Sequence, residues 1–165
     1  MNDVLIEKVV VSMGVGPEPE RMKRAVQIIE SITGRKAIKT FSEKRIPLWG
    51  VRPGVPLGLK ITLRKQPAMD FLKRCLYAKE NKIAKKSFDN NGNFAFGVKE
   101  QIDLQGVKYD PKLGIMGFDV LVSLQKKGYR IKRRKIQQSV VGKAQRVTKE
   151  EAQEFVKSIG VELNE

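Results

Sequence analysis

The chain has 165 residues, of which 41% are apolar, enough for a folded core. Its 33 Lys and Arg face only 18 Asp and Glu, a formal balance of +15 that points to a polyanionic partner. Histidine is absent and Cys75 is the only cysteine, which excludes an internal disulfide, the usual zinc ligand sets and the common His-based catalytic systems.

Residues 4–12 read as a strand, and the acids ahead of the apolar run argue against a signal peptide. The strand leads into Gly14-Val15-Gly16 and a helical pattern, as a dinucleotide site would. That fingerprint needs a third glycine at position 19, where Pro19 stands between Glu18 and Glu20. A tight strand-to-helix turn explains the glycines without a ligand; they also permit close approach of an RNA backbone. The helix is predicted over residues 18–33, with Met22, Ala25, Val26, Ile29 and Ile32 on one stripe and Gly34 as its stop.

Residues 36–41 suggest a short strand, and residues 42–56 a long connection. Within the connection, Trp49 lies among Ile46, Leu48 and Val51, with Lys44, Arg45 and Arg52 around it. Two readings stand at this point: Trp49 tucks into the core, or the loop projects and meets a partner. The run "LGLKITLRK", residues 57–65, alternates Leu57, Leu59, Ile61 and Leu63 with Lys60, Thr62 and Arg64, predicting a strand with one buried and one open basic face. Pro67 suits the first turn of the next helix, whose apolar side is Ala68, Phe71, Leu72, Cys75 and Leu76. Cys75 is then a core residue.

Residues 94–104 and 117–125 read as further strands, the first preceded by a polar turn, Asp89 to Asn93. The segment 125–146 carries Lys126, Lys127, Arg130, Lys132, Arg133, Arg134 and Lys135, with no acid from 120 to 149. Solvated charged faces usually interleave both signs, so this one is read as phosphate-binding, with Tyr129 available for stacking. Too few apolar residues lie in it for independent folding, and it is expected to order on its partner. The last helix opens on the capping box Thr148 and Glu151, carries Ala152, Phe155, Val156 and Ile159, and ends at Gly160. No apolar run approaches the ~20 residues needed to span a bilayer.

The expected architecture is α+β: a mostly antiparallel or mixed sheet, helices packed on one face and an open basic face on the other. A single domain over 1–165 is expected, with the long loop at 42–56 and a basic segment at 126–147. Three other readings are weighed: a free-standing RNA chaperone, a nucleotide-dependent enzyme on the Gly-x-Gly, and a peripheral membrane protein. The last lacks a continuous apolar face.

Five segments, "EKVVVSMGVG", "ITGRKAIKT", "GVRPGVPLGLKITLR", "KSFDNNGNFAFGVKEQ" and "YDPKLGIMGFDV", resemble the ribosomal protein L5 family in order over most of residues 7–122. The basic segment and last helix resemble its archaeal and eukaryotic branch. The resemblance implies a non-enzymatic, cofactor-free protein of the large ribosomal subunit in the cytoplasm. It implies binding of 5S rRNA in the central protuberance, through Ser12, Met13, Gly14, Arg35, Thr62 and Arg64. Ser12 and Arg35 stand where bacterial members carry asparagine and glutamine. It further implies that a loop, here Lys44, Arg45, Leu48, Trp49, Gly50 and Arg52, faces the P-site tRNA. Contact with large-subunit rRNA is expected at Lys60, Asn91, Asn93, Lys126, Lys127, Arg130, Lys132, Arg133, Arg134 and Lys135. Neighbouring ribosomal proteins, including a small-subunit bridge protein, complete the expected partners; no membrane contact is expected.

Overall fold

Gly34 ends the first helix as its stop signal requires, at φ 66° with its amide donating to the Glu30 carbonyl at 2.8 Å. In the computed structural model, which describes residues 3–164, that helix is α1 (Pro19–Thr33) and follows strand β1 (Val4–Gly14). Pro19 occupies its first turn. Its buried stripe is Met22, Ala25, Ile28, Ile29 and Ile32; Val26 is only half-buried, so the stripe lies slightly round from the expected one.

The next elements are β2 (Ile38–Phe41), β3 (Pro56–Leu63), α2 (Gln66–Ala78), β4 (Lys82–Ala84), β5 (Phe94–Val98) and β6 (Phe118–Lys126). The short α3 (Arg130–Arg133), α4 (Lys149–Ser158) and β7 (Glu162–Asn164) follow. The main sheet has five strands in the order β2-β3-β1-β6-β5, and β4 pairs in parallel with β7. The architecture is therefore α+β, as expected. The β4–β7 pair has no counterpart in the sequence reading; three-residue strands are too short to show a period.

The chain forms two compact units. One comprises Met1–Val9, Arg64–Phe96 and Leu121–Glu165. There, α2 buries Ala68, Phe71, Leu72, Cys75 and Leu76, all five expected residues. Phe88 and Phe94 pack with ring centroids 5.2 Å apart. At α4 the capping box is complete: the Thr148 amide donates to Glu151 Oε2 at 3.1 Å, and the Glu151 amide to Thr148 Oγ1 at 3.3 Å.

The other unit comprises Val10–Leu63 and Gly97–Val120. Here β3 pairs antiparallel with β2, Ile38 opposite Lys60 and Thr40 opposite Gly58. Leu59, Ile61 and Leu63 are buried while Lys60 and Thr62 are exposed, so this strand has one covered and one open face. α1 packs against β3. The strand expected over 94–104 is shorter, ending at Val98, and Gln101–Asp103 form a 3₁₀ turn. Gln101 is the reason. Its buried amide donates to the Gly114 carbonyl at 2.6 Å and accepts from the Met116 amide, tying the following loop back where a strand ladder would otherwise run.

Candidate nucleic-acid interface

The residues predicted to touch RNA fall into three groups along the chain. The first lies at the end of β1 and on β3. The amides of Val15 and Gly16 donate to the Leu57 carbonyl at 3.0 and 2.9 Å, which sets the end of β1 beside the start of β3. Gly58 is required there, because a Cβ would meet the Met13 carbonyl oxygen at 2.8 Å. Gly14 is different. Its φ is not positive, it is exposed, and a Cβ would meet nothing within 4 Å. The fold itself does not need a glycine at that position.

Ser12 is half-buried, and Thr62 and Arg35 are exposed. Met13 departs from expectation: only 1% of it is exposed, so its side chain belongs to the core and only its backbone can meet a ligand. Arg64 follows β3 directly, and its guanidinium lies 3.9 Å from Glu7 Oε1, with half of its side chain exposed.

The second group is the loop between β2 and β3. Ile46 and Val51 exchange backbone hydrogen bonds at 2.9 and 3.1 Å, closing a small ring around the 3₁₀ turn Pro47–Trp49. Gly50, at φ 64°, completes the reversal. Val51 is buried and anchors the loop, whereas Leu48 is 89% and Trp49 66% exposed. Of the two readings left open by the sequence, the projecting loop is the one found. Lys44, Arg45 and Arg52 flank this apolar tip, are exposed, and have no ion-pair partner among the described residues.

The third group is the basic segment, whose course is set by local bonds. Val141 and Val147 are buried anchors. The Ser139 amide donates to the Ile131 carbonyl at 3.2 Å, Arg134 Nε to the Gln137 carbonyl at 2.7 Å, and Gln145 Nε2 to the Lys127 carbonyl at 2.8 Å. Side-chain amides thus supply what the few apolar residues cannot. Not every cation in it is free. Lys126 is buried and paired with Glu151 at 2.6 Å, so its ammonium is not available to a phosphate, contrary to expectation. Arg133 reaches Glu7 Oε1 at 2.6 Å and Lys127 reaches Asp3 at 3.2 Å. Arg130, Lys132, Arg134 and Lys135 are exposed and carry no ion pair among the described residues.

Within the same unit, a cleft of about 690 Å³ opens between the basic segment, the polar turn that carries Asn91 and Asn93, and β6. Glu7 lies in it and was not foreseen; its only sequence signal is that it is the one acid within β1. Asn93 Oδ1 accepts from Ser123 Oγ at 3.1 Å and from the Leu124 amide at 3.3 Å. Gly92 is needed beside it: its φ is 74°, and a Cβ would meet Val147 Cγ1 at 2.5 Å. Among the described residues no cluster could hold a metal ion.

Kinship decides against the enzyme reading. Residues 56–161 match the sequence profile of the ribosomal L5P family C-terminus, and residues 1–52 that of ribosomal protein L5. The chain belongs to the ribosomal L5 family. It is 46% identical to the large ribosomal subunit protein uL5 of Pyrobaculum aerophilum, covering 99% of this chain and 92% of that one. It is 44% identical to the protein of the same description from Thermoplasma acidophilum, over 94% and 92% of the two chains. The corresponding protein of Methanocorpusculum labreanum is 43% identical over 99% of this chain and 98% of its own. These relatives are archaeal, as the basic segment suggested. L5 family members are structural and not enzymatic, so the chain is not an enzyme and the Gly-x-Gly is a turn between β1 and α1.

Proposed function

We propose that this L5 family protein is a structural component of the large ribosomal subunit that binds 5S rRNA and attaches it in the central protuberance. It works in the cytoplasm, on the ribosome. The observation that carries the reading is the surplus of exposed cations without an acidic partner. Lys60, Arg130, Lys132, Arg134 and Lys135 have no acidic partner among the described residues. Such a surface binds a polyanion by releasing counterions.

The end of β1 and the open side of β3 supply the Ser12 and Thr62 hydroxyls and the bare backbone at Gly14, and Arg35 and Arg64 add cations of their own. A folded RNA is recognised there by shape and phosphate position more than by base sequence. The basic segment, with Asn91 and Asn93, meets large-subunit rRNA. The apolar tip at Leu48 and Trp49, with Arg45 and Arg52 beside it, reaches the P-site tRNA. Neighbouring ribosomal proteins, a small-subunit bridge protein among them, contact what remains.

The test is binding of the purified protein to 5S rRNA, against tRNA and a duplex RNA of equal length, across a salt series. A preference for 5S rRNA that persists at high salt supports the reading. Equal binding to all three, lost together as salt rises, refutes it.

A further inference from the structure

We infer that the cleft beside the basic segment holds one unpaired nucleotide of an RNA strand, its base against Tyr129 and its phosphate at Lys132 and Arg146. This rests on the reading of the protein as RNA-binding, and it assigns a ligand to a site that kinship does not. The cleft's volume of about 690 Å³ lies within the ~300–1,000 Å³ typical of small-ligand sites.

Its lining is donor-rich. Lys132 Nζ, the Tyr129 hydroxyl and Asn93 Nδ2 have no partner among the described residues, and Arg146 spends only Nε, on the Val141 carbonyl at 3.4 Å. A ligand with several acceptor oxygens suits that set, and a phosphodiester has them. Glu7 is the single carboxylate in the lining and would repel a phosphate if it stood alone. It does not: Arg133 neutralises it at 2.6 Å, and the Arg64 guanidinium lies 3.9 Å from the same oxygen.

Beside the polar groups, Tyr129 and Val140 offer the flat and apolar surface that a base needs for stacking. Val140 is 75% exposed, so its side chain is open to such a contact. Outside the lining, the unpaired cations Arg134 and Lys135 continue the charge along the chain. A run of phosphates uses such a track, whereas a free mononucleotide does not. The commitment is therefore to a strand.

The experiment measures binding of a fluorescent single-stranded RNA pentamer to the full chain, with a hairpin duplex, AMP and inorganic phosphate as competitors. Ser139→Phe fills the cleft without changing charge, and its backbone bond to Ile131 is kept. Tyr129→Leu removes the stacking ring and serves if the first variant fails to fold. Lys157→Gln is the control, an exposed cation on α4 outside the lining and outside the basic segment. Base stacking is worth ~1–3 kcal/mol, so each cleft variant should weaken pentamer binding by roughly tenfold or more, while the control weakens it far less. Equal loss in all three variants, or duplex competing as well as single strand, overturns the inference. AMP competing as well as the pentamer means a free nucleotide and also overturns it. Parallel binding to 5S rRNA keeps the failures apart: pentamer binding unchanged in both cleft variants, while the parent binds 5S rRNA as proposed, sinks this inference alone.

Discussion

Lys126 and Glu151 make opposite predictions for two substitutions that break the same ion pair. Glu151 holds the Lys126 ammonium at 2.6 Å and also closes the capping box of α4. Glu151→Ala removes both, leaving a cation in a site where the lysine side chain is only 4% exposed. A lost cap costs about 1 kcal/mol. An orphaned buried charge typically costs about 3–5 kcal/mol, but the Glu151 side chain is 37% exposed, so water can reach the site and roughly 1–3 kcal/mol is the better figure. The total, about 2–4 kcal/mol, corresponds to a fall in Tm of roughly 5–15 °C for a chain of this size. Lys126→Met removes the buried charge and keeps the cap, and should stay within about 1 kcal/mol of the parent. Thermal melts followed by circular dichroism at pH 7 check this. The Lys126 hydrogen bond holds Glu151 below the ordinary glutamate value of 4.5. A carboxyl depressed on folding stabilises the fold above its unfolded pKa, and that contribution is lost as pH falls through its folded pKa. Lys126→Met should therefore flatten the decline in stability below about pH 4.5. If Lys126→Met costs as much as Glu151→Ala at pH 7, or weakens the salt dependence of RNA binding, the assignment of Lys126 to the core is wrong.

The unpaired cations should behave in the opposite way. Replacing Lys132, Arg134 and Lys135 together by Gln should leave the melt almost unchanged and reduce the slope of log K against log salt by about 2–3, at ~0.7–0.9 per phosphate contact. Leu48→Ala and Trp49→Ala should change stability by less than ~0.5 kcal/mol in denaturant melts while weakening tRNA binding, whereas Val51→Ala, at the buried foot of the same loop, should cost about 1–3 kcal/mol. Gly14→Ala should fold normally yet lose affinity for 5S rRNA, and Gly58→Ala should lower Tm; equal melts for the two would contradict the 2.8 Å approach at Gly58. Burial pushes the Cys75 thiol up to about 12 against the opposing pull of Arg74, so labelling by a thiol reagent at pH 8 should follow the unfolding rate. Rapid labelling of the folded protein would refute that.

What the sequence disclosed, and what it withheld, divides along local and non-local causes. α2 and α4 were legible because their signals are local: Pro67 at a first turn, Thr148 and Glu151 at a cap, apolar residues three and four apart. The open side of β3 was legible for the same reason, a period of two. Residues 99–104 misled because a buried Gln101 binds backbone groups 13 and 15 positions away, and no window on the chain shows that. The same limit applied to the basic segment. Its composition argues for disorder, but the bonds that shape it come from Arg134, Gln138 and Gln145 acting on nearby carbonyls.

A count of charge could not tell which cations serve the fold. Lys126, Lys127 and Arg133 are spent on Glu151, Asp3 and Glu7, whereas Arg130, Lys132, Arg134 and Lys135 in the same run are not. The acids that make the difference lie far off in sequence, 25 residues away for Glu151 and 124 for Asp3. The fold sorts one basic run into structural and unspent charges, and only the unspent ones leave a field for a partner to neutralise. Glu7 shows the consequence most clearly: by holding Arg133 it lets an otherwise self-repelling segment lie over a carboxylate, and the donors left over, on Lys132, Asn93 and Arg146, are those that line the cleft.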